Sequence, residues 1–230
     1  MSDVIARTSA MTPIHFQGLR CFVLCTGGVV SFSDSMCSPD LCGTFALALA
    51  VLTSVSVADS FLVTPVLAGL VLGLFVYTIG STSGAHLNPA VTAGLWSLGK
   101  INNRDSVAYV VTQLAGGFVA WLLVSSTLGG VSLGMAPESL GVFLAELVGM
   151  TFFTFGIAAV VFGKVHDHAS GLVIGGSLLL GIIVAAHLGS MGILNPAVGL
   201  ALGATSLSYI LGAVGGSIAG MQLYKLVIGK

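Results

Sequence analysis

The chain has 230 residues, of which 56% are hydrophobic and only 7% charged, with a mean hydropathy of +1.08 and a net charge of −1. Soluble domains carry about 25% charged residues, so a water-solvated surface is excluded and lipid must cover much of the molecule. The absence of a basic balance excludes a nucleic-acid partner, which needs a positively charged face.

In chain order, residues 1–39 stand before the first span as a cytoplasmic or interfacial segment. Within it Leu19–Phe32 is apolar, but its 14 residues are too few to cross a membrane. It reads as a signal-like or interfacial stretch, or as the start of a seventh span. The four cysteines, Cys21, Cys25, Cys37 and Cys42, all fall in the first fifth of the chain without a histidine at zinc-like spacing, so no metal site is read. Cys21 and Cys25 share one helical face; they either accept a lipid or are incidental apolar thiols.

Membrane-crossing helices need about 20 mostly apolar residues. Six candidates follow, at about 41–58, 62–80, 106–129, 140–162, 171–189 and 206–227, separated by polar punctuation such as Asp59, Lys100–Asp105, Gly134–Glu138 and Lys164–His168. Two further apolar stretches, Asn88–Leu98 and Asn195–Ala204, reach only about half of a ~30 Å hydrocarbon core. Both open with Asn then Pro. Asn caps free amides and Pro fits a first helical turn, so each reads as a re-entrant half-helix. The channel domain then runs over 40–230, as two repeats at about 40–130 and 140–230.

The tripeptide Asn-Pro-Ala occurs at Asn88-Pro89-Ala90 and again at Asn195-Pro196-Ala197, 107 positions on, which marks a duplication. A second pair agrees: Asp40 and Glu146 each stand three residues before a glycine, Gly43 and Gly149. An acid beside a span is costly unless paired or wet, so both are candidate supports for a loop, with a solvated terminal carboxylate as the alternative for Asp40. With the amino terminus inside, all seven basic residues (Arg7, Arg20, Lys100, Arg104, Lys164, Lys225 and Lys230) fall on the inner side. Both termini are then cytoplasmic. Three spans separate the two motifs, so the repeat is inverted.

These residues carry a family resemblance. Ser83-Gly84-Ala85-His86-Leu87-Asn88-Pro89-Ala90-Val91-Thr92 resembles the first signature of the aquaporins, the major intrinsic proteins, and Ile193-Leu194-Asn195-Pro196-Ala197 resembles the second. Gln113 with Gly116-Gly117 and the acid-x-x-Gly pairs match the family as well, so the resemblance covers about residues 40–227. It implies an all-α membrane bundle of six transmembrane helices plus two re-entrant half-helices, usually assembled as a homotetramer with one pore per subunit. Half-helix amino ends meeting at the midplane make an electropositive constriction, where Asn88 and Asn195 offer amides to a passing oxygen. His86 belongs to the inner vestibule by the same likeness.

The chain departs from the family directly after the second motif. Where most members carry a filter arginine, this chain has Val198 followed by Gly199. Counting from the asparagines places the other filter positions at Ala68, Ile183 and Gly192. Together with Val198 they form a set without charge or aromatic bulk, so a wide apolar filter is expected. His187 becomes the filter histidine under a shifted register; otherwise it is a histidine at a membrane–water boundary. His166 and His168 flank Asp167 in an inner loop and either gate with pH or are simply solvated.

The function implied is a passive channel for water and small uncharged solutes, with glycerol, urea, ammonia and hydrogen peroxide as candidates and without a cofactor. A structural or junctional membrane protein with a closed pore is the alternative. A secondary transporter is a further one, because inverted repeats also build carriers. No nucleophile–base pair, metal cluster or phosphate-binding loop is present in the sequence, so no enzyme is read.

Overall fold

The protein is described by a computed structural model covering residues 34–56, 60–129 and 138–228. Among these residues it is an all-α bundle. The helices are α1 (Asp34–Val55), α2 (Ser60–Ser83), α3 (Pro89–Ser97), α4 (Asn103–Leu128), α5 (Leu140–Val161), α6 (Ser170–His187), α7 (Pro196–Leu202) and α8 (Leu207–Val227), with one 3-10 turn at Asp167–Ala169 leading into α6. The readings made for Leu19–Phe32, Cys21, Cys25, Arg7, Arg20, Asp59, Gly134 and Lys230 lie outside the described residues.

The order long, long, short, long occurs twice. α2, α4, α5, α6 with its leading turn, and α8 are long and apolar enough to cross a membrane, with mean hydropathies from 1.3 to 2.2. In α1 the apolar stretch is shorter, Pro39–Val55. That helix begins at Asp34 and carries Pro39 inside it, so it runs through the domain boundary placed at residue 40. The sequence boundary followed apolarity alone, and residues 34–38 are mostly polar or small.

Packing obeys the duplication. α1 lies against α4 and α2, α5 against α8 and α6, and α2 crosses α6 at the join between the halves. The two short helices are exchanged: α3 packs on α8 and α7 packs on α4. Small residues allow these approaches. A Cβ built on Gly69 would stand 2.6 Å from the Gly175 carbonyl oxygen, and one built on Gly175 would collide with the Gly69 carbonyl. Gly73 and Gly171 repeat the arrangement one turn away. On α8, Gly212, Gly216 and Gly220 recur every fourth residue and meet the backbone of α5.

The core contains Leu47, Leu52, Leu87, Phe153, Leu194 and Leu202. Large apolar side chains also face outward, among them Leu70, Leu140, Leu172 and Leu226, the last 75% exposed. Water solvates such a surface poorly; hydrocarbon suits it. The protein is an integral membrane bundle.

Candidate pore

The two motifs build the same structure twice. Asn88 and Asn195 are extended N-caps, and each is followed by proline at the first helical position. The Asn88 side-chain oxygen accepts from the Ala90 amide at 2.8 Å, and that of Asn195 accepts from the Ala197 amide at 3.0 Å. Their nitrogens reach across the repeat. Asn88 Nδ2 donates to the Leu194 carbonyl and Asn195 Nδ2 to the Leu87 carbonyl, both at 2.9 Å. A primary amide has two N–H groups, so each asparagine has one left for a passing acceptor.

Leu87 and Leu194, which supply those carbonyls, have φ of 49° and 50°. A branched residue in this left-handed region costs about 1–3 kcal/mol and persists only where its surroundings hold it. Two buried acids do so. Asp40 Oδ2 accepts from the Leu87 amide at 3.2 Å, while Glu146 accepts from the Ile193 amide at 2.9 Å and the Leu194 amide at 2.7 Å. Both carboxyl groups are fully buried. Asp40 also takes a hydrogen bond from Gln113 Nε2 at 2.6 Å, and Glu146 takes one from the Ser190 hydroxyl. Burying an acid is expensive unless its oxygens are satisfied, and these partners satisfy them.

Two serines turn the loops in parallel. Ser83 Oγ accepts from the Ala85 amide at 3.2 Å, and Ser190 Oγ accepts from the Gly192 amide at 3.0 Å. Around the first motif the Gln113 amide also reaches Thr92 at 3.1 Å, whose hydroxyl lies 3.2 Å from His86 Nδ1. The His86 ring rests 4.6 Å from that of Tyr109, whose hydroxyl donates to the Ser83 carbonyl at 2.6 Å. Sequence reasoning quoted Ser83 and Thr92 in the first signature without giving them a role, and missed Tyr109 and Ser190; an S-x-G/A pattern before each motif, Ser83-Gly84-Ala85 and Ser190-Met191-Gly192, was the available signal for the two serines.

A cavity of about 330 Å³ meets both asparagines. Its walls are Leu47, Val51 and Val55 from α1, Phe61, Thr64, Pro65, Ala68 and Leu72 from α2, Phe153 from α5, and Leu178, Ile182 and Ala186 from α6. Ser190–Ile193, Val198 and Leu202 form the remaining side, and His86 also reaches it. Of the expected filter positions, Ala68, Gly192 and Val198 line the cavity. Ile183 does not; its neighbours Ile182 and Ala186 do. One residue along a helix turns the side chain by about 100°, and that step separates the counted position from the lining one. Gly192 contributes backbone alone, since its φ is 65° and a Cβ there would stand 2.7 Å from the Ile182 carbonyl oxygen.

Pro89, Ala90, Pro196 and Ala197 shape the half-helix starts without lining the cavity. Ala197 also meets α4, where a Cβ on Gly117 would collide with its carbonyl. His187 is exposed, with its ring 5.5 Å from that of Phe61. His166 and His168 stack at 5.4 Å, away from the cavity. Among the described lining residues His86 is the only one with an ionisable side chain.

Known proteins share this architecture. The model of the major intrinsic protein family matches residues 30–201. The glycerol uptake facilitator protein-like 6 of Lactiplantibacillus plantarum is 34% identical over 185 residues, covering 73% of this chain and 84% of that one. Aquaporin NIP1-3 of Oryza sativa subsp. japonica is 31% identical over 173 residues, 69% of this chain and 59% of that one. This chain thus spans about three fifths of the length of that plant relative. Among solved structures, the aquaglyceroporin from Plasmodium falciparum shares the fold with a TM-score of 0.67 at 24% identity, over 84% of this chain and 96% of that one. With paired Asn-Pro-Ala half-helices in a duplicated bundle and a family match over most of its length, the chain belongs to the major intrinsic protein family.

Proposed function

We propose that the protein is a passive transmembrane channel for water and small uncharged solutes. The observation that carries this is the pair of cross-braced asparagines, each with a spare amide N–H, at a cavity bounded by uncharged residues. A chain of water molecules meeting two donors there is turned so that its oxygens face them. The half-helix dipoles, positive ends inward, repel cations. Asn88, Pro89, Ala90, Asn195, Pro196 and Ala197 form this centre. Asp40 and Glu146 support it, and His86 lies in the vestibule beyond.

The filter comprises Ala68, Gly192 and Val198, with Ile182 taking the α6 position in preference to the counted Ile183. Its small apolar surfaces favour passage of glycerol, urea, ammonia or hydrogen peroxide beside water, and the similarity to a glycerol uptake facilitator-like protein supports that range. The termini lie in the cytoplasm. In support, Lys100 sits over the Phe162 ring at 5.4 Å, and Gln222 donates to the Ser97 carbonyl at 2.8 Å. These contacts gather Lys100, Arg104, Lys164 and Lys225 at one end of the bundle, in keeping with the positive-inside bias. A homotetramer in the bilayer is the assembly proposed.

Stopped-flow swelling of proteoliposomes tests the reading. Water flux should exceed that of protein-free liposomes, and glycerol and urea should pass. In Val198→Arg their flux should fall about tenfold while water falls less, since the new side chain narrows the filter. No flux of any solute would favour the closed, structural alternative instead.

A further inference from the structure

Three helices are each followed in the sequence by an apolar residue, glycine and lysine: Leu98-Gly99-Lys100 after α3, Phe162-Gly163-Lys164 after α5 and Ile228-Gly229-Lys230 after α8. The first two close in one geometry. Gly99 and Gly163 have φ of 71° and 67°. Their amides donate to the Trp96 and Val160 carbonyls at 2.9 Å, and the amides of Lys100 and Lys164 donate to the Leu95 and Ala159 carbonyls at 3.0 Å and 2.9 Å. In this helix ending the residue after the glycine is often apolar and packs back on the helix. Here it is a lysine both times, and both are exposed. α6, which runs the other way from α5, ends in the same motif with Ser190 in that place.

Both lysines meet the end of α8. Lys100 Nζ lies 5.4 Å from the centre of the Phe162 ring, and that ring stacks on Tyr224 at 5.7 Å. Lys164 stands two residues past Phe162, and Lys225, exposed in the last turn of α8, is next to Tyr224. Three lysines thus gather about one aromatic stack. Asp105 and Asp167 lie within five residues of Lys100 and Lys164, yet among the described residues none of the three lysines is ion-paired to a carboxylate. Asp105 is held by Asn102 at 2.8 Å. A helix carboxyl end presents about half a negative charge, so three such ends offset only about half of three lysines. The excess charge stands beside an apolar strip. Leu223, Leu226 and Val227 of α8 are exposed at the i, i+3, i+4 spacing of one helix face.

We propose that this end of the bundle binds an anionic phospholipid, with the phosphate among Lys100, Lys164 and Lys225 and the acyl chains along Leu223, Leu226 and Val227. Such a site is independent of which solutes the pore takes. Lysine suits the place, because its stem lies along apolar surface while its compact charge stays at the polar boundary. The two glycine-closed helix ends fix the backbones from which Lys100 and Lys164 reach, and Phe162 holds the Lys100 ammonium over its ring. A zwitterionic headgroup gains little here, since its own cation meets the lysines as a like charge. Each basic residue at a membrane surface favours anionic lipid about fivefold, so the three together favour it about a hundredfold.

Thermal unfolding of the purified protein in a neutral detergent, with added dioleoyl phosphatidylglycerol, dioleoyl phosphatidylcholine or inorganic phosphate, is the test. A ligand that binds only the folded protein raises the unfolding midpoint. Phosphatidylglycerol should do so at about a hundredfold lower concentration than phosphatidylcholine. With Lys100→Gln, Lys164→Gln and Lys225→Gln combined, that difference should vanish while the response to phosphatidylcholine stays. Each single substitution should weaken the phosphatidylglycerol response about fivefold, and the single variants decide the matter where the triple one does not fold. Equal responses to the two lipids overturn the proposal, as does a preference that survives the substitutions. Inorganic phosphate matching phosphatidylglycerol overturns it too, because the lysines would then hold a free anion and the strip on α8 would have no part.

Discussion

Leu87 and Leu194 act through their backbones more than through their side chains. Each sits in a strained left-handed turn, passes its amide to a buried acid and its carbonyl to the opposite asparagine. Removing the acceptor should release the turn. In Glu146→Gln one oxygen becomes an NH2 facing amides and the Ser190 hydroxyl, leaving at least one buried donor unmet at a cost of about 1–3 kcal/mol. We expect a lower thermal unfolding midpoint in detergent and reduced water flux, because Leu194 no longer holds its carbonyl to Asn88. An unchanged midpoint would refute the assignment. The asparagines and acids were legible in the sequence because their types are rare within apolar runs. The leucines were not, since a leucine in a left-handed turn leaves no trace in composition and the acids that impose it lie 47 and 48 residues away. Counting from Asn195 gives Ile183, whereas the neighbouring Ile182 lines the cavity, because the count crosses a loop and the helical phase on its far side is set by packing.

Between elements, the glycine contacts decide how closely helices approach. At the crossing of α2 and α6 each of Gly69 and Gly175 faces the carbonyl of the other. Gly69→Ala and Gly175→Ala should each cost about 1–3 kcal/mol through overpacking. The double variant should cost less than the sum, because one displacement of the helices relieves both clashes. Thermal unfolding of the three variants measures this, and strict additivity would show that the contacts are independent. A polar junction joins α5 and α8 at their amino ends. Glu138 accepts from the Ser208 hydroxyl at 2.6 Å, the Leu207 amide at 2.7 Å and the Ser208 amide at 2.9 Å. The Ser208 hydroxyl, followed by the Leu207 amide, holds this exposed carboxyl below its ordinary value of 4.5. A carboxyl whose folded pKa is depressed contributes stability above its unfolded pKa and loses it as the pH falls through the folded one. The acid side of the stability–pH curve should therefore flatten in Glu138→Gln, while an unaltered slope below pH 4.5 would count against the contribution. The spans were read to within a few residues from apolarity, except at α1, whose polar first turn from Asp34 lacked that signal. The pairing of Glu138 with α8 was out of reach, because nothing local links residues 69 and 70 positions apart.

At the scale of the molecule, neither half is complete. α3 rests on α8 and α7 on α4, so each half-helix is seated by the last helix of the other repeat. The cross-braces from Asn88 to Leu194 and from Asn195 to Leu87 run the same way, and each half's left-handed leucine serves the other half's asparagine. A half expressed alone would expose the seat of a missing half-helix and leave its asparagine amide and leucine carbonyl without partners. In a membrane such groups have no water to turn to. The contacts just named are all made by residues outside the link between α4 and α5. Chains 1–134 and 135–230 expressed together should therefore assemble and give water flux in vesicles, whereas either alone should give none and be degraded faster. Water flux from a single half would show that the exchange of half-helices is dispensable. Failure of the paired halves to assemble, with both inserted in the membrane, would place the cohesion of the bundle in the covalent link and not in the exchanged helices. The prediction follows from the same duplication that sets two Asn-Pro-Ala motifs 107 positions apart: an inverted repeat whose working parts lie at its centre makes each copy the support of the other.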